Sequence, residues 1–389
     1  MARLVTRTLA ACLAITSCIH ILVYMLSATL PLHMVALGGS KTQVGLLFAV
    51  SAGFSMLLRP LVGGWVDRHG FRPVMLPGAA VLLATLAALP LAQAPALLVT
   101  LMAGIGFGNG LISTGAGVLA AQASPAERRG EALSVYYVAT SLSFSVGPPL
   151  GLALYGGGDM GLCFIGAAVL GGGILLLVLG LTGTPAAGPS GRHFRWFSRA
   201  TLPAAATVVL VNVGYSSIYA FLPLYARAVG LDGTLGWFYA LFSVCIIVGR
   251  VGLRGLSDRI GRVRVIVPAV ALITLSYLVL ALPPRGLTLA IGAVLLGGGV
   301  ALFYPALVAV LVDRTPEAER GSAIGTLSGS FDLGGMVGSL MVGLTVDRVS
   351  FAAGFHVAAA GAALGLALFV LVERRAAARS VLPRPAAGV

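Results

Sequence analysis

The charged residues of this chain sit in short islands, and between them run apolar stretches of about twenty residues, the length needed to cross a hydrocarbon core of about 30 Å. Gly, Pro or charge punctuates the runs and places spans near 9–31, 43–63, 73–92, 95–120, 131–155, 160–183, 201–226, 234–254, 264–283, 287–312, 322–346 and 351–372. Apolar residues make up 58% of the chain and charged ones 10%, well under half the share of a soluble domain, so a water-soluble fold could not hide this surface. The sequence predicts an all-α membrane protein of twelve transmembrane helices with lipid as its main solvent.

Charge placement orients the spans. With the amino terminus in the cytoplasm, nineteen of the twenty-five Lys and Arg fall in cytoplasmic segments and four outside (Lys41, Arg227, Arg285, Arg348), leaving Arg59 and Arg250 within helices. This asymmetry satisfies the positive-inside rule and predicts a multi-pass protein of the cytoplasmic membrane with both termini inside. The net charge of +13 does not indicate nucleic acid, because the arginines are scattered among loops rather than gathered on one soluble face. Arg3 and Arg7 precede an apolar stretch that continues through Pro31, too long for a secretory signal, so it reads as the first span. Cys12, Cys18, Cys163 and Cys245 all lie in apolar runs and suggest packing rather than a disulfide framework or metal cluster. One Lys against twenty-four Arg, with abundant Ala and Gly, fits a GC-rich bacterial source.

The chain repeats itself at an offset of 191 positions. Tyr24 pairs with Tyr215, Gly45 with Gly236, Arg59 with Arg250, Gly64 with Gly255, Asp67 and Arg68 with Asp258 and Arg259, and Gly70 with Gly261. Gly106 pairs with Gly297, Gly108 with Gly299, Pro125 with Pro316, Arg129 and Gly130 with Arg320 and Gly321, and Gly147 with Gly338. After an even number of spans both halves begin on the same side, so the repeats are parallel, related by an axis along the membrane normal. The longest polar break, Gly183 to Arg199, divides the chain into a six-helix bundle over 1–183, a cytoplasmic linker over 184–200 and a second bundle over 201–389 with a short cytoplasmic tail.

Two loops carry the same pattern: Gly63-Gly64-Trp65-Val66-Asp67-Arg68-His69-Gly70-Phe71-Arg72 after span 2, and Gly255-Leu256-Ser257-Asp258-Arg259-Ile260-Gly261-Arg262 after span 8. Each sets an Asp and a basic cluster at a helix end, able to latch two halves by charge-assisted bonds or to serve as a solvated positive-inside loop. At these residues the sequence resembles the major facilitator superfamily, whose signature loop has the form G-x-x-x-D-R-x-G-R-[KR], and the resemblance covers essentially the whole chain. It implies two pseudo-symmetric six-helix bundles, transport of a small molecule by alternating access, and one chain as the working unit. Gating roles then fall to Gly64, Asp67, Arg68, Gly70, Arg72, Gly255, Asp258, Arg259, Gly261 and Arg262. Phe71 stands where the family usually has Arg.

The stretches Ser124-Pro125-Ala126-Glu127-Arg128-Arg129-Gly130 and Thr315-Pro316-Glu317-Ala318-Glu319-Arg320-Gly321 resemble loops of the efflux-type branch. Gly147-Pro148-Pro149-Leu150-Gly151 in span 5 resembles the end of the antiporter motif G-P-x-x-G, with Ala139 and Ser143 in place of the glycines expected upstream. Gly147, Pro148 and Gly151 are therefore motif candidates for export, beside the plainer reading of a proline kink in a glycine-rich helix. In span 4, Thr100 stands where the family places an arginine tied to proton coupling, and Ala103 replaces a Gln.

Of the twelve acids only Asp332 lies near the middle of a span. An intramembrane carboxylate faces protein or a water-filled cavity. Two readings follow: a proton-carrying site, or a structural acid bonded to hydroxyls such as Ser328 or Ser330. Arg59 and Arg250 fit a structural or gating role, or a substrate contact. Spans 1, 4, 7 and 10 line the central cavity in the resembled fold. Their polar and aromatic residues, His20, Tyr24, Asn109, Ser113, Asn212, Tyr215, Ser216, Tyr219 and Tyr304, are candidate substrate contacts, and His20 doubles as a candidate proton relay. No Walker loop, metal constellation or nucleophile elbow occurs, which argues against ATP-driven pumping and gives no sign of an enzyme or a cofactor. The expectation is a secondary transporter driven by the proton gradient and exporting a small amphipathic compound, with an importer or uniporter of a neutral or anionic solute as the alternative.

Overall fold

Each apolar run becomes one helix, since inside lipid a helix satisfies its own backbone donors and acceptors. In the computed structural model, residues 7–123, 129–155, 159–181, 201–253, 259–316 and 320–381 are described. They form twelve long helices: α1 (Arg7–Ala36), α2 (Lys41–His69), α3 (Phe71–Ala88), α4 (Pro95–Gln122), α5 (Arg129–Leu154), α6 (Gly161–Leu179), α7 (Leu202–Ala228), α8 (Leu235–Gly252), α9 (Arg262–Leu280), α10 (Gly286–Arg314), α11 (Arg320–Arg348) and α12 (Phe351–Val381). Eleven are long and apolar enough to cross a membrane, and the twelfth, α5, contributes the shorter apolar stretch Val138–Leu154. The helices overrun the apolar runs by up to a few turns, most at α12, because polar residues at the ends keep helical geometry outside the hydrocarbon. The expected linker, 184–200, lies outside the described residues.

Local chemistry sets the helix ends. Ser40 opens α2 with a capping box: its Oγ accepts from the Gln43 N–H at 3.2 Å, and the Gln43 Oε1 accepts from the Ser40 N–H at 2.9 Å. At the other end Gly70 turns the chain into α3 with φ 82°, and Gly261 enters α9 with φ 94°. Both are backbone conformations that a side chain would strain, which accounts for glycine at this place in both signature loops.

The twelve helices form two six-helix bundles, each with its own apolar core. Repeat-related glycines make matching contacts in the two. A Cβ at Gly108 would meet the Gly78 carbonyl at 2.9 Å, and one at Gly299 would meet the Ala269 carbonyl at 2.7 Å, so α4 approaches α3 as α10 approaches α9. Likewise Gly147 lets α5 close on α1 at Tyr24, and Gly338 lets α11 close on α7 at Val213. Lipid supplies no hydrophobic drive between helices, so this close van der Waals approach holds each bundle together.

The start of α1 and the end of α12 lie at one end of the molecule, the terminal end, and the bundles also join at the opposite, distal end. There Ala220, Phe221 and Leu224 of α7 and Val342 and Val346 of α11 enter the core of the first bundle. Asp347 of α11 caps the start of α2, accepting from the Thr42 hydroxyl at 2.8 Å and the Lys41 N–H at 3.2 Å. Arg227 at the end of α7 donates to the Tyr155 hydroxyl, beyond α5, at 3.1 Å.

If close approach is what seats α11, Gly338→Leu should destabilise the protein by about 1–3 kcal/mol, the usual cost of overpacking. Gly325→Leu, where an added Cβ meets nothing within 4 Å, should not. Melting midpoints in detergent read the difference, and equal midpoints would refute the packing argument.

Candidate functional site

One ion pair ties the two bundles together near mid-span. Arg59 of α2 donates through Nε to Asp332 Oδ2 at 2.5 Å and through an Nη to Oδ1 at 3.4 Å. Arg59 lies ten residues from the terminal end of α2 and Asp332 twelve residues into α11, about 15–18 Å from that end of either helix. Their side chains are 25% and 12% exposed, too dry for either charge to stand alone. A lone charge at this depth is costly, and pairing offsets much of that cost. Sequence reasoning had singled out both residues separately; the structure makes them partners. Ser330, a hydroxyl considered for Asp332, instead donates to the Thr326 carbonyl at 2.8 Å, because a serine in a helix reaches back to its own preceding turn more easily than across to a neighbour.

Asp332 forms part of the wall of a cavity of about 180 Å³ between the bundles, below the ~300–1,000 Å³ of sites for drug-sized ligands. Residues of α1, α2, α4, α7 and α11 line it. Ser51, Ser55, Ser27, Ser216, Asn109 and Asn212 bring polar groups, while Phe48, Phe331, Met102 and Ile105 bring apolar surface. Asn109 Nδ2 donates to Ser55 Oγ at 3.5 Å, and Asn212 Nδ2 donates to the Val208 carbonyl at 2.9 Å. The wall is therefore amphipathic, and its one carboxylate is neutralised by Arg59.

Aromatic rings connect this wall to the rest of the interface. Tyr24 of α1 stacks on Tyr219 of α7 with centroids 5.6 Å apart, and Tyr219 donates its hydroxyl to that of Tyr215 at 2.7 Å. Phe144 of α5 is buried in the core of the second bundle, edge-on to Tyr24 at 4.9 Å, Tyr219 at 5.1 Å, Phe242 at 4.7 Å and Tyr239 at 6.1 Å. These contacts span the interface and fill the α5–α8 side of it.

Of the candidates read from sequence, Tyr24, Asn109, Asn212, Tyr215, Ser216 and Tyr219 reach the cavity wall. His20, Ser113 and Tyr304 do not form part of it. His20 donates through Nδ1 to the Thr16 carbonyl at 2.8 Å, Ser113 donates to the Asn109 carbonyl at 2.6 Å, and Tyr304 stands edge-on to Phe331 at 6.0 Å. Span 10 was expected to line the cavity, but α2 and α11 do so instead, because small residues on α2 and Gly335 on α11 leave room where bulky residues of α5 and α8 close the other side. The signal that was missed is Ser51 and Ser55, one helical turn apart on one face of α2.

Among the motif residues, Gly64, Arg68, Arg72 and Arg259 are exposed. Gly255 and Asp258 lie outside the described residues, as does the side chain of Asp67. Arg262 pairs with Asp313 of α10 at 2.6 Å. The repeat counterparts of that pair are Phe71 and Gln122, and Phe71 is buried, so the first bundle packs a ring where the second holds an ion pair. Arg250 donates to the hydroxyl of Ser141 on α5. Gly147 and Gly151 seat α5 against α1, with Pro148 buried beside them. Thr100, in the position of the expected arginine, is exposed and donates to the Ala96 carbonyl of its own helix at 2.9 Å.

Comparison with known proteins agrees with this architecture. An uncharacterised MFS-type transporter of Burkholderia pseudomallei is 27% identical over 354 residues, 88% of this chain and 86% of that protein. One from Salmonella typhimurium is 28% identical over 273 residues, 70% of each. Among solved structures, the nucleoside transporter NupG superposes with a TM-score of 0.74 at 13% identity, covering 94% of this chain and 99% of that one. The peptide transporter POT gives 0.75 at 16% identity, with 94% of each covered. Identities this low establish the fold alone. The Major Facilitator Superfamily profile matches residues 12–284 and 205–388, so the chain belongs to the Major Facilitator Superfamily and is a multi-pass membrane transporter rather than an enzyme.

Proposed function

We propose that the protein is a proton-coupled exporter of a small amphipathic compound, working by rocking of its two bundles around the cavity. The observation that carries this reading is the Arg59–Asp332 pair, which joins α2 to α11 across the bundle interface and whose carboxylate, Asp332, lines the cavity. Protonating Asp332 removes its charge and weakens the bond to Arg59, which loosens the α2–α11 seam. A compound entering beside the pair competes for the same hydrogen-bonding groups. Proton and substrate thus act on one contact, which is the requirement for coupling them, and each changes the balance only through its differential affinity for the two states. The partial antiporter motif at Gly147, Pro148 and Gly151 supports the export direction. The positive-inside pattern supports a cytoplasmic terminal end, and on that orientation the form with tight distal contacts is closed toward the outside. Asp332 carries the coupling that the arginine absent at Thr100 would otherwise serve.

In energised inside-out vesicles, adding amphipathic cations, neutral compounds and anions in turn should release protons for at least one class. Asp332→Asn should abolish that release at equal protein abundance. Solute flux without proton movement in either protein would contradict coupling and leave facilitated transport as the activity.

The pair also makes a structural prediction. Removing one partner leaves the other charge uncompensated, at a cost of about 3–5 kcal/mol for a buried pair. Arg59→Gln should therefore lower the melting midpoint in detergent by several degrees, and the exchange Arg59→Asp with Asp332→Arg should recover most of the loss. Additive losses in the exchange would show that the two residues act independently.

A further inference from the structure

The cavity occupies one side only of a symmetric frame. Repeat symmetry exchanges α1 with α7, α2 with α8, α4 with α10 and α5 with α11, so every wall has a counterpart on the α5–α8 side. The counterpart of Gly335 is Phe144, and the counterparts of Phe48 and Ser51 on α2 are Tyr239 and Phe242 on α8. The register is secured in the structure by the matched glycine contacts. It is secured again by the cross-bundle bonds, since Arg59 and Asp332 are related by the same offset to Arg250 and Ser141. On the α5–α8 side the Phe144 ring fills the seam, edge-on to Tyr24, Tyr239 and Phe242. On the α2–α11 side a Cβ added at Gly335 meets nothing within 4 Å, and the space belongs to the cavity.

We infer that Gly335 determines specificity and that the vacant position takes an aromatic ring of the substrate, placed where repeat symmetry puts the ring of Phe144. The protein's own Phe144 shows which group this framework accommodates. Of its four edge-on partners, Tyr24 has Tyr215 as counterpart and Tyr239 has Phe48, so two recur around the vacancy; Tyr219 is replaced by Ala28 and Phe242 by Ser51, which widens the space and adds a hydroxyl. Edge-to-face partners at these separations select a ring over an aliphatic group of equal size. Asp332 lies three residues before Gly335, on the same face of α11, so a polar substituent on the ring points to the Arg59–Asp332 pair. The substrate class is a small compound with one aromatic ring and an attached polar or ionic group. This deepens the proposed function, since it rests on the same cavity being the transport site.

The test uses purified protein in lipid nanodiscs with 4-fluorobenzylamine, 4-fluorobenzyl alcohol and 4-fluorobenzoate as cationic, neutral and anionic ring probes. Fluorine NMR line broadening is read after subtraction of empty nanodiscs. At least one probe should bind saturably, and the cyclohexylmethyl analogue of that probe should compete at least fivefold more weakly. In the series Gly335→Ala, Gly335→Leu and Gly335→Phe, affinity should fall progressively, with at least a tenfold loss at Phe. Phe144→Gly should add a second ring site, and the Gly335 series keeps the test decisive should that variant fail to fold. No saturable binding of any probe, equal competition by the saturated analogue, or wild-type affinity in Gly335→Phe would overturn the inference. Ring binding without compound-dependent proton movement would leave the ring site standing and refute the exporter reading instead.

Discussion

The ion pair between Arg59 and Asp332 is the constraint on which the arrangement of the two bundles depends. Neither charge can remain alone at mid-span, so each holds the other's helix in place, and α2 and α11 must meet at a fixed register. That register aligns the distal contacts: Gly45 meets the backbone of Ser339, Gly343 meets Lys41, and Asp347 caps α2. Asp332 also lines the cavity, so the contact that fixes the interface is the one on which the proposed coupling acts. A contact that could not be weakened would hold the protein in one state; in the proposed cycle, protonation of Asp332 lets this one be made and broken.

The symmetry of the chain explains the frame, and departures from it explain the site. Paired glycines such as Gly108 and Gly299 place their helices alike in the two bundles. On that frame, Arg59 faces a carboxylate while Arg250 faces the hydroxyl of Ser141. Phe144 fills one seam while Gly335 leaves the other open. The cavity is thus displaced to one side of the pseudo-axis by a few side chains, without any change in backbone plan.

How much of this could be read beforehand follows from which forces are local. Span lengths were legible because the hydrocarbon thickness imposes them, and the signature loops because their Gly, Asp and Arg stand at the same spacing in each half. The offset of 191 was legible because it is a pattern of identities. The partnership of Arg59 with Asp332 was not: it joins residues 273 positions apart, and no periodicity along one helix reports what a distant helix presents. The cavity wall was half legible for the same reason. Tyr24 and Tyr215 carry the polar and aromatic signal of a binding face, but the role of α2 and α11 came from small residues, whose meaning lies in what they leave empty. Comparing the two halves for size as well as identity would have exposed Gly335 against Phe144 and Ser51 against Phe242.

The central claim is that the Arg59–Asp332 bond holds the distal end closed. Electron–electron distance measurement between spin labels at Leu91 and Leu282, exposed positions at the distal end of either bundle, tests it most directly when wild type and Asp332→Asn are compared in nanodiscs. The account predicts a short-distance population in wild type and a shift toward longer distances in the variant, as the α2–α11 seam parts. An unchanged distance distribution would contradict it, and would leave the ion pair as a passive element of packing.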